Sequence, residues 1–248
     1  MYRDELENHL NQLLDIPRFQ DYCPNGLQVE GRCEIHTVVS GVTASLDLLQ
    51  AALEAKADAV LVHHGYFWRG EDMRITGIKK RRIALLMNHQ INLFAYHLPL
   101  DAHSQFGNNA QLGKKLGFVE NGRFGGQDIM MQGELKVSMS LAALGDQISQ
   151  TLLRRPMIIG DPDKTIQRIA WCTGSAQNYF DAAILQNVDA YLTGEISEQN
   201  VHAARESGVA FIAAGHHATE RYGVQALGNH IAQEFGIQHQ FIDIENPV

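Results

Sequence analysis

Short apolar runs alternate with amphipathic helical stretches over most of the 248 residues, and this alternation leaves few folds open to the chain. An opening helix shows in Leu6, Leu10, Leu13 and Leu14, which share one face, and it must stop near Pro17, whose ring disfavours helix at the preceding residue. A β-rich run at 37–42 leads through Ser45, a good N-cap, into a helical stretch to about Ala57. A strand at 59–62, a basic helix at 79–88 and a strand at 91–96 follow. Strands separated by helices need crossover connections, which predicts α/β architecture with mainly parallel sheets.

A second array starts after residue 165, with strands at 168–172, 189–193 and 209–213 and helices at 176–187 and 197–207. Shifting by 131 positions sets Ala51 and Ala52 on Ala182 and Ala183, and Asp58, Ala59 and Leu61 on Asp189, Ala190 and Leu192, which points to a duplication. The expected division is a first α/β domain over 1–125 and a second over 126–248. Residues 121–165, punctuated by Gly122, Gly125, Gly126, Gly133, Pro156 and Pro162, read as a connecting region with one helix near 141–153.

Four groups of polar side chains fall just past the carboxyl ends of these strands, where an open α/β sheet forms its crevice. They are His63 with His64; His97 with Asp101; Thr193, Gly194 and Glu195; and His216, His217 and Glu220. His63 and His64 can converge only if the strand bends at its end, which Gly65 permits. His97 and Asp101 are four residues apart, as are His216 and Glu220, and Thr219 reads as the N-cap of a helix whose first turn carries Glu220. Imidazole with carboxylate suits Fe, Zn, Mn, Co or Ni. Six such residues exceed one four-coordinate ion and suit two divalent metal ions, with Glu220 as the bridge. His97 or Glu195 could then move protons. Thr193, Gly194 and Glu195 could equally be a strand-to-helix turn capped by Ser197. His217 reads as a supporting neighbour; His89, His103, His202, His230 and His239 read as structural or exposed.

A formal charge of −8 and a pI near 5.8 argue against a broad nucleic-acid surface, with Lys79, Lys80, Arg81 and Arg82 the local exception, read as a solvated helix face. No apolar stretch approaches the roughly 18 residues that span a bilayer, so no signal peptide or membrane association is expected and the cytoplasm is the expected compartment. Cys23, Cys33 and Cys172 lack metal-site spacing and read as small core residues. No P-loop or nucleophile-elbow pattern occurs.

At these residues the chain resembles the Nif-three-like (NGG-one-interacting factor three-like) family, also called GTP cyclohydrolase one type two homologues, and its bacterial YbgI-type members above all. The segments that carry the resemblance are 24–31 (PNGLQVEG), 41–45 (GVTAS), 58–68 (DAVLVHHGYFW), 97–101 (HLPLD), 193–195 (TGE) and 215–220 (GHHATE). The resemblance implies two intertwined α/β domains, a dinuclear metal site at their interface and a homo-oligomer, a hexameric ring. By motif it implies His63, His64, Asp101, His216 and Glu220 as ligands, with His97 a further ligand or an immediate neighbour. Two functions remain open from here: a metal-dependent hydrolase, including cyclohydrolase action on a purine-type small molecule, and a metal-stabilised ring with a regulatory or DNA-associated role.

Overall fold

The computed structural model describes the whole chain, Met1–Val248, and the chain forms two compact units. Unit 1 is Met1–Gly107 with Gly223–Glu245; unit 2 is Asn108–Tyr222 with Asn246–Val248. In chain order the first stretch of unit 1 holds α1 (Arg3–Leu13), β1 (Gly26–Val29), β2 (Thr37–Thr43), α2 (Leu46–Glu54), β3 (Ala59–His64), α3 (Gly77–Asn88), β4 (Asn92–Ala95) and α4 (Leu98–Ala102). Unit 2 holds α5 (Asn108–Leu116), β5 (Phe118–Phe124), β6 (Met130–Ser140), α6 (Leu141–Leu152), β7 (Met157–Ile159), β8 (Thr165–Trp171), α7 (Phe180–Ile184), β9 (Ala190–Thr193), α8 (Glu198–Ser207) and β10 (Ala210–Ala213). Helix α9 (His216–Phe235) begins in unit 2 and finishes in unit 1, which β11 (Gln238–Phe241) completes.

The sheet of unit 1 runs β1-β4-β3-β2-β11, parallel at every pairing except β1 with β4. Its strands are apolar on both faces because both are covered. Val39, Val60, Val62, Leu93 and Ala95 pack with Leu48, Leu49 and Leu86 of α2 and α3. The alternate residues Val38, Ala59, Leu61 and Phe94 pack with Leu6 and Leu10 of α1 and with Leu227 and Ile231 of α9. Ser45 caps α2 as expected, its hydroxyl accepting from the Leu48 amide at 3.2 Å.

The sheet of unit 2 runs β5-β6-β8-β9-β10-β7. Its middle, β8-β9-β10, is parallel, as the second array predicts, and both flanks are antiparallel. Residues 121–165, read as a connector, contribute those flanks as well as the expected helix α6. The misleading letter is Gly133, which sits inside β6, where a Cβ would run into the Val119 carbonyl; that glycine marks close backbone approach within the sheet, not a turn. One core joins Leu112, Leu144 and Ile148 of the helices to Ile169, Leu192 and Ile212 of the strands. No helix is long and apolar enough to cross a membrane. Cys23 and Cys172 are buried as expected, whereas Cys33 is exposed.

Candidate metal centre

In unit 1 the ligand-type residues lie at the carboxyl ends of β3 and β4. Strand β3 continues through both histidines, beyond the expected end at 62, with His64 still in register with Thr43 of β2. The adjacent rings nevertheless converge, with centroids 4.6 Å apart, and His97 joins them at 5.0 Å from His63 and 5.8 Å from His64. Gly65 follows because there is no room for a side chain: a Cβ there would run into the Gln28 side chain and sit 2.6 Å from Ala95 Cβ. The Gln28 Oε1 in turn accepts the Tyr66 amide at 2.7 Å, which turns the chain away from the strand.

Each of the three imidazoles is held through its Nδ1. His63 Nδ1 donates to the Tyr96 carbonyl at 2.9 Å, His64 Nδ1 lies 3.2 Å from Thr43 Oγ1, and His97 Nδ1 donates to Asp21 Oδ1 at 2.7 Å. Such partners fix tautomer and ring orientation, so that Nε2 is the nitrogen that could serve a metal. Ligand atoms of His63, His64 and His97 lie within 4.8 Å of one another, and His63 Nε2 is 3.4 Å from Asp101 Oδ1. Asp101 is buried on α4, one helical turn after His97. Trp68 closes one side, its ring edge-on to His97 with centroids 5.0 Å apart.

Asp21 escaped the sequence reading. Besides His97 it accepts the Leu98 amide at 2.9 Å and Asn25 Nδ2 at 2.9 Å. Burial pushes its carboxyl up, but the hydrogen bonds from His97, Asn25 and Tyr22 outweigh that and hold it at about 2. Nothing local in the sequence singles it out, since its partner lies 76 residues away.

In unit 2 the groups fall at the ends of β9 and β10. Glu195 Oε1 accepts from His216 Nδ1 at 2.6 Å, and His216 Nε2 is 3.2 Å from Glu220 Oε2. Burial lowers the His216 pKa, but Glu220 and Glu195 prevail and raise it to about 9. The expected cap at Thr219 is corrected here: α9 starts at His216, and Thr219 lies within it. Its hydroxyl donates to the His216 carbonyl at 2.9 Å and accepts the Gly174 amide at 3.0 Å, because Gly215, at φ +99°, turns the chain into the helix four residues sooner. His216 and Glu220 are therefore successive residues on one helix face. Gly174, at φ +68°, was also missed; a Cβ there would run into Glu220 Oε1 and sit 3.2 Å from His216 Nε2.

His217 is buried, with its amide donating to the Val248 carbonyl at 3.0 Å. Three of the remaining histidines have definite partners: His103 Nδ1 accepts the Phe106 amide at 3.0 Å, His230 Nε2 is 3.2 Å from His9 Nε2, and His239 bonds to Ser40 and Asn229. The basic run is split, since Lys79 pairs with Glu71 at 3.0 Å and lies over the Phe67 ring.

Three fixed imidazoles with a buried carboxylate in one unit, and an imidazole between two carboxylates in the other, define an α/β protein with groups able to bind metal. The Duf34/NIF3 (NGG1p interacting factor 3) family model matches residues 1–247, and the chain belongs to that family. A Pseudomonas aeruginosa protein named GTP cyclohydrolase 1 type 2 homolog is 55% identical over 98% of this chain and 97% of its own length. Among solved structures, protein ybgI, described as of unknown function, superposes with a TM-score of 0.97 at 46% identity, each chain fully covered. TTHA1606 from Thermus thermophilus does so with a TM-score of 0.89 at 34% identity, again over both whole chains.

Proposed function

We propose that this chain is a metal-dependent hydrolase in which His63, His64, His97 and Asp101 act with His216 and Glu220 on one pair of divalent ions. The observation that carries the reading is in unit 1, where three imidazoles are anchored by Nδ1 and present their second nitrogens to one small volume. Imidazole nitrogens gathered this closely suit a shared cation, and the donor set fits Fe, Zn, Mn, Co or Ni. Neither half-set is complete for two ions alone, and Glu220, aligned with His216, is suited to bridge them. Bound there, two ions would lower the pKa of a shared water and polarise the bond it attacks.

The chain's own residues supply the rest. Asp21 and Glu195 hold His97 and His216 in orientation, and Trp68 excludes water from one side. The Glu195 carboxylate is also the residue placed to exchange a proton with His216 Nδ1. The name borne by the relatives points to ring opening of a purine-type substrate, which needs water delivered to an amidine carbon. Metal analysis beside a panel of cyclic amidines, amides and phosphoesters, wild type against His63→Ala, tests the proposal. Two ions per chain and turnover lost in the variant are expected; fewer than about one ion per chain with metal supplied would sink it.

A second reading, a ring assembly held by its metals and without turnover, draws on the exposed apolar side chains of Met73, Ile75, Ile78 and Met87 in unit 1. Under the hydrolase reading, His63→Ala and Glu220→Gln abolish turnover and leave the oligomer intact; under the assembly reading they dissolve it.

A further inference from the structure

Unit 2 contains a cleft of about 630 Å³ lined by Arg154, Arg155, Met157, Glu195, Ile196 and Pro247 among others. We propose that this cleft is an oxyanion subsite, in which Arg154 and Arg155 hold a doubly charged phosphoryl group of a small molecule beside His216. The first reason is charge. Arg154 and Arg155 line the cleft with one acidic side chain, Glu195, and with Val248; the Glu195 oxygens are already engaged, one by His216 Nδ1 at 2.6 Å and the other by Ser175 Oγ at 3.3 Å, and the Val248 carbonyl accepts the His217 amide at 3.0 Å. Side chains with surplus positive charge favour a dianion, and guanidinium forks match phosphoryl oxygens two at a time.

The second reason is an unsatisfied donor. Arg154 Nη1 donates to the Pro247 carbonyl, yet Arg154 Nε is buried with no hydrogen-bond partner. Buried guanidinium donors are normally paired, and an oxyanion supplies the acceptor that the protein does not. Third, the guanidinium lies against the backbone of Gly215, where a Cβ would run into Nε; only glycine lets the arginine reach this place, one residue before His216. Arg155, exposed on the rim, completes the clamp.

The subsite rests on the metal-centre reading only for its purpose, which is to hold a substrate's phosphoryl tail next to the reacting groups; the binding itself needs no ion. The test is isothermal titration of the full chain with inorganic phosphate at constant ionic strength, with acetate as a parallel arm, after chelator treatment and again after metal loading. Phosphate is expected to bind the chelated protein and to bind it more tightly than acetate does. Arg155→Gln, on the exposed rim and so without cost to folding, should weaken phosphate by about tenfold or more. Arg154→Lys, which keeps the charge and loses Nε, should weaken it as well. The proposal is overturned if chelated wild type binds no phosphate, if acetate binds as well, or if Arg155→Gln leaves the affinity unchanged. Phosphate binding that appears only after metal loading also overturns it, by assigning the anion to the ions. Metal content of the same samples reads the hydrolase proposal separately, so an intact phosphate site in a protein that holds no metal leaves the subsite standing and sinks the other.

Discussion

Asp58 in unit 1 and Asp189 in unit 2 do the same job. Each precedes a central strand and accepts two successive backbone amides from the neighbouring segment: His36 and Thr37 at 2.8 and 3.0 Å in unit 1, Gln167 and Arg168 at 3.1 and 2.7 Å in unit 2. The backbone repeats too, with the Asp58 amide donating to the Thr37 carbonyl and the Asp189 amide to the Arg168 carbonyl, both at 2.9 Å. At the other end of the same strands the units part company. Where unit 1 has Thr43, holding His64, unit 2 has Gly174, making room for Glu220. Where unit 1 ends β3 in His63 and His64, the corresponding letters of unit 2 are Gly194 and Glu195. The duplicated scaffold is kept at the amino ends of its strands and diverges at the carboxyl ends, where an open α/β sheet carries its chemistry.

The sharpest way to break this contrast is through metal affinity. His63→Ala should lower it by about a hundredfold or more, and Asp21→Asn by about ten- to a hundredfold through loss of the His97 orientation. Competition against a chromophoric chelator measures both, and unchanged affinity in Asp21→Asn would leave that carboxylate a purely structural partner.

The shared device should show next, in stability. Asp58 is almost fully buried and bonds to Arg32 Nη1 at 2.8 Å besides its two amides, so Asp58→Ala should cost about 2–3 kcal/mol in denaturant unfolding. Asp189→Ala should cost less, because Asp189 is more exposed and water replaces part of what is lost. Equal losses would contradict the difference in burial between the two copies.

A third comparison uses the diverged position. Gly174→Ala places a Cβ against Glu220 in a left-handed backbone, for about 1–2 kcal/mol and a measurable loss of bound metal, whereas Thr43→Val removes one hydrogen bond to His64 and should cost about 1 kcal/mol or less. Thermal melts with and without supplied metal separate the two.

The smallest effect is a pH dependence confined to unit 1. Burial lowers the His239 pKa from its ordinary 6.5 to about 4 while its ring bonds to Ser40 Oγ at 2.8 Å and Asn229 Oδ1 at 2.9 Å. Between those pH values the unfolded chain takes up the proton on His239 and the folded one does not, so this residue's contribution to stability is complete above 6.5 and declines as pH falls toward 4. Hydrogen exchange of β11 amides should report the decline, and His239→Gln should flatten it.

Most of the scaffold was legible in the letters because it is encoded locally. Consecutive apolar residues such as Val60, Leu61 and Val62 predict a strand covered on both faces, and Ser45 caps the helix that follows it. The flanking strands of the second sheet were illegible because Gly133 reads as a break in one dimension and as a close approach in three. The shared four-residue spacing of His97 with Asp101 and of His216 with Glu220 invites a reading as one repeated motif. Tyr96 and Ala214 donate to the equivalent carbonyls of Val62 and Thr193, however, so His97 matches Gly215 and the two pairs are offset by one residue. Each spacing reflects the pitch of its own helix.

By itself, then, the order of amino acids determined which strands exist and that imidazoles and acids follow their ends, since periodicity and capping act within a few residues. Tertiary structure decided which nitrogen of each ring is tied down, that Asp21 stands behind His97 and Glu195 behind His216, and that glycine at 174 is a condition for Glu220. Those facts depend on hydrogen bonds and steric exclusion between segments far apart in the chain, and no local pattern encodes them.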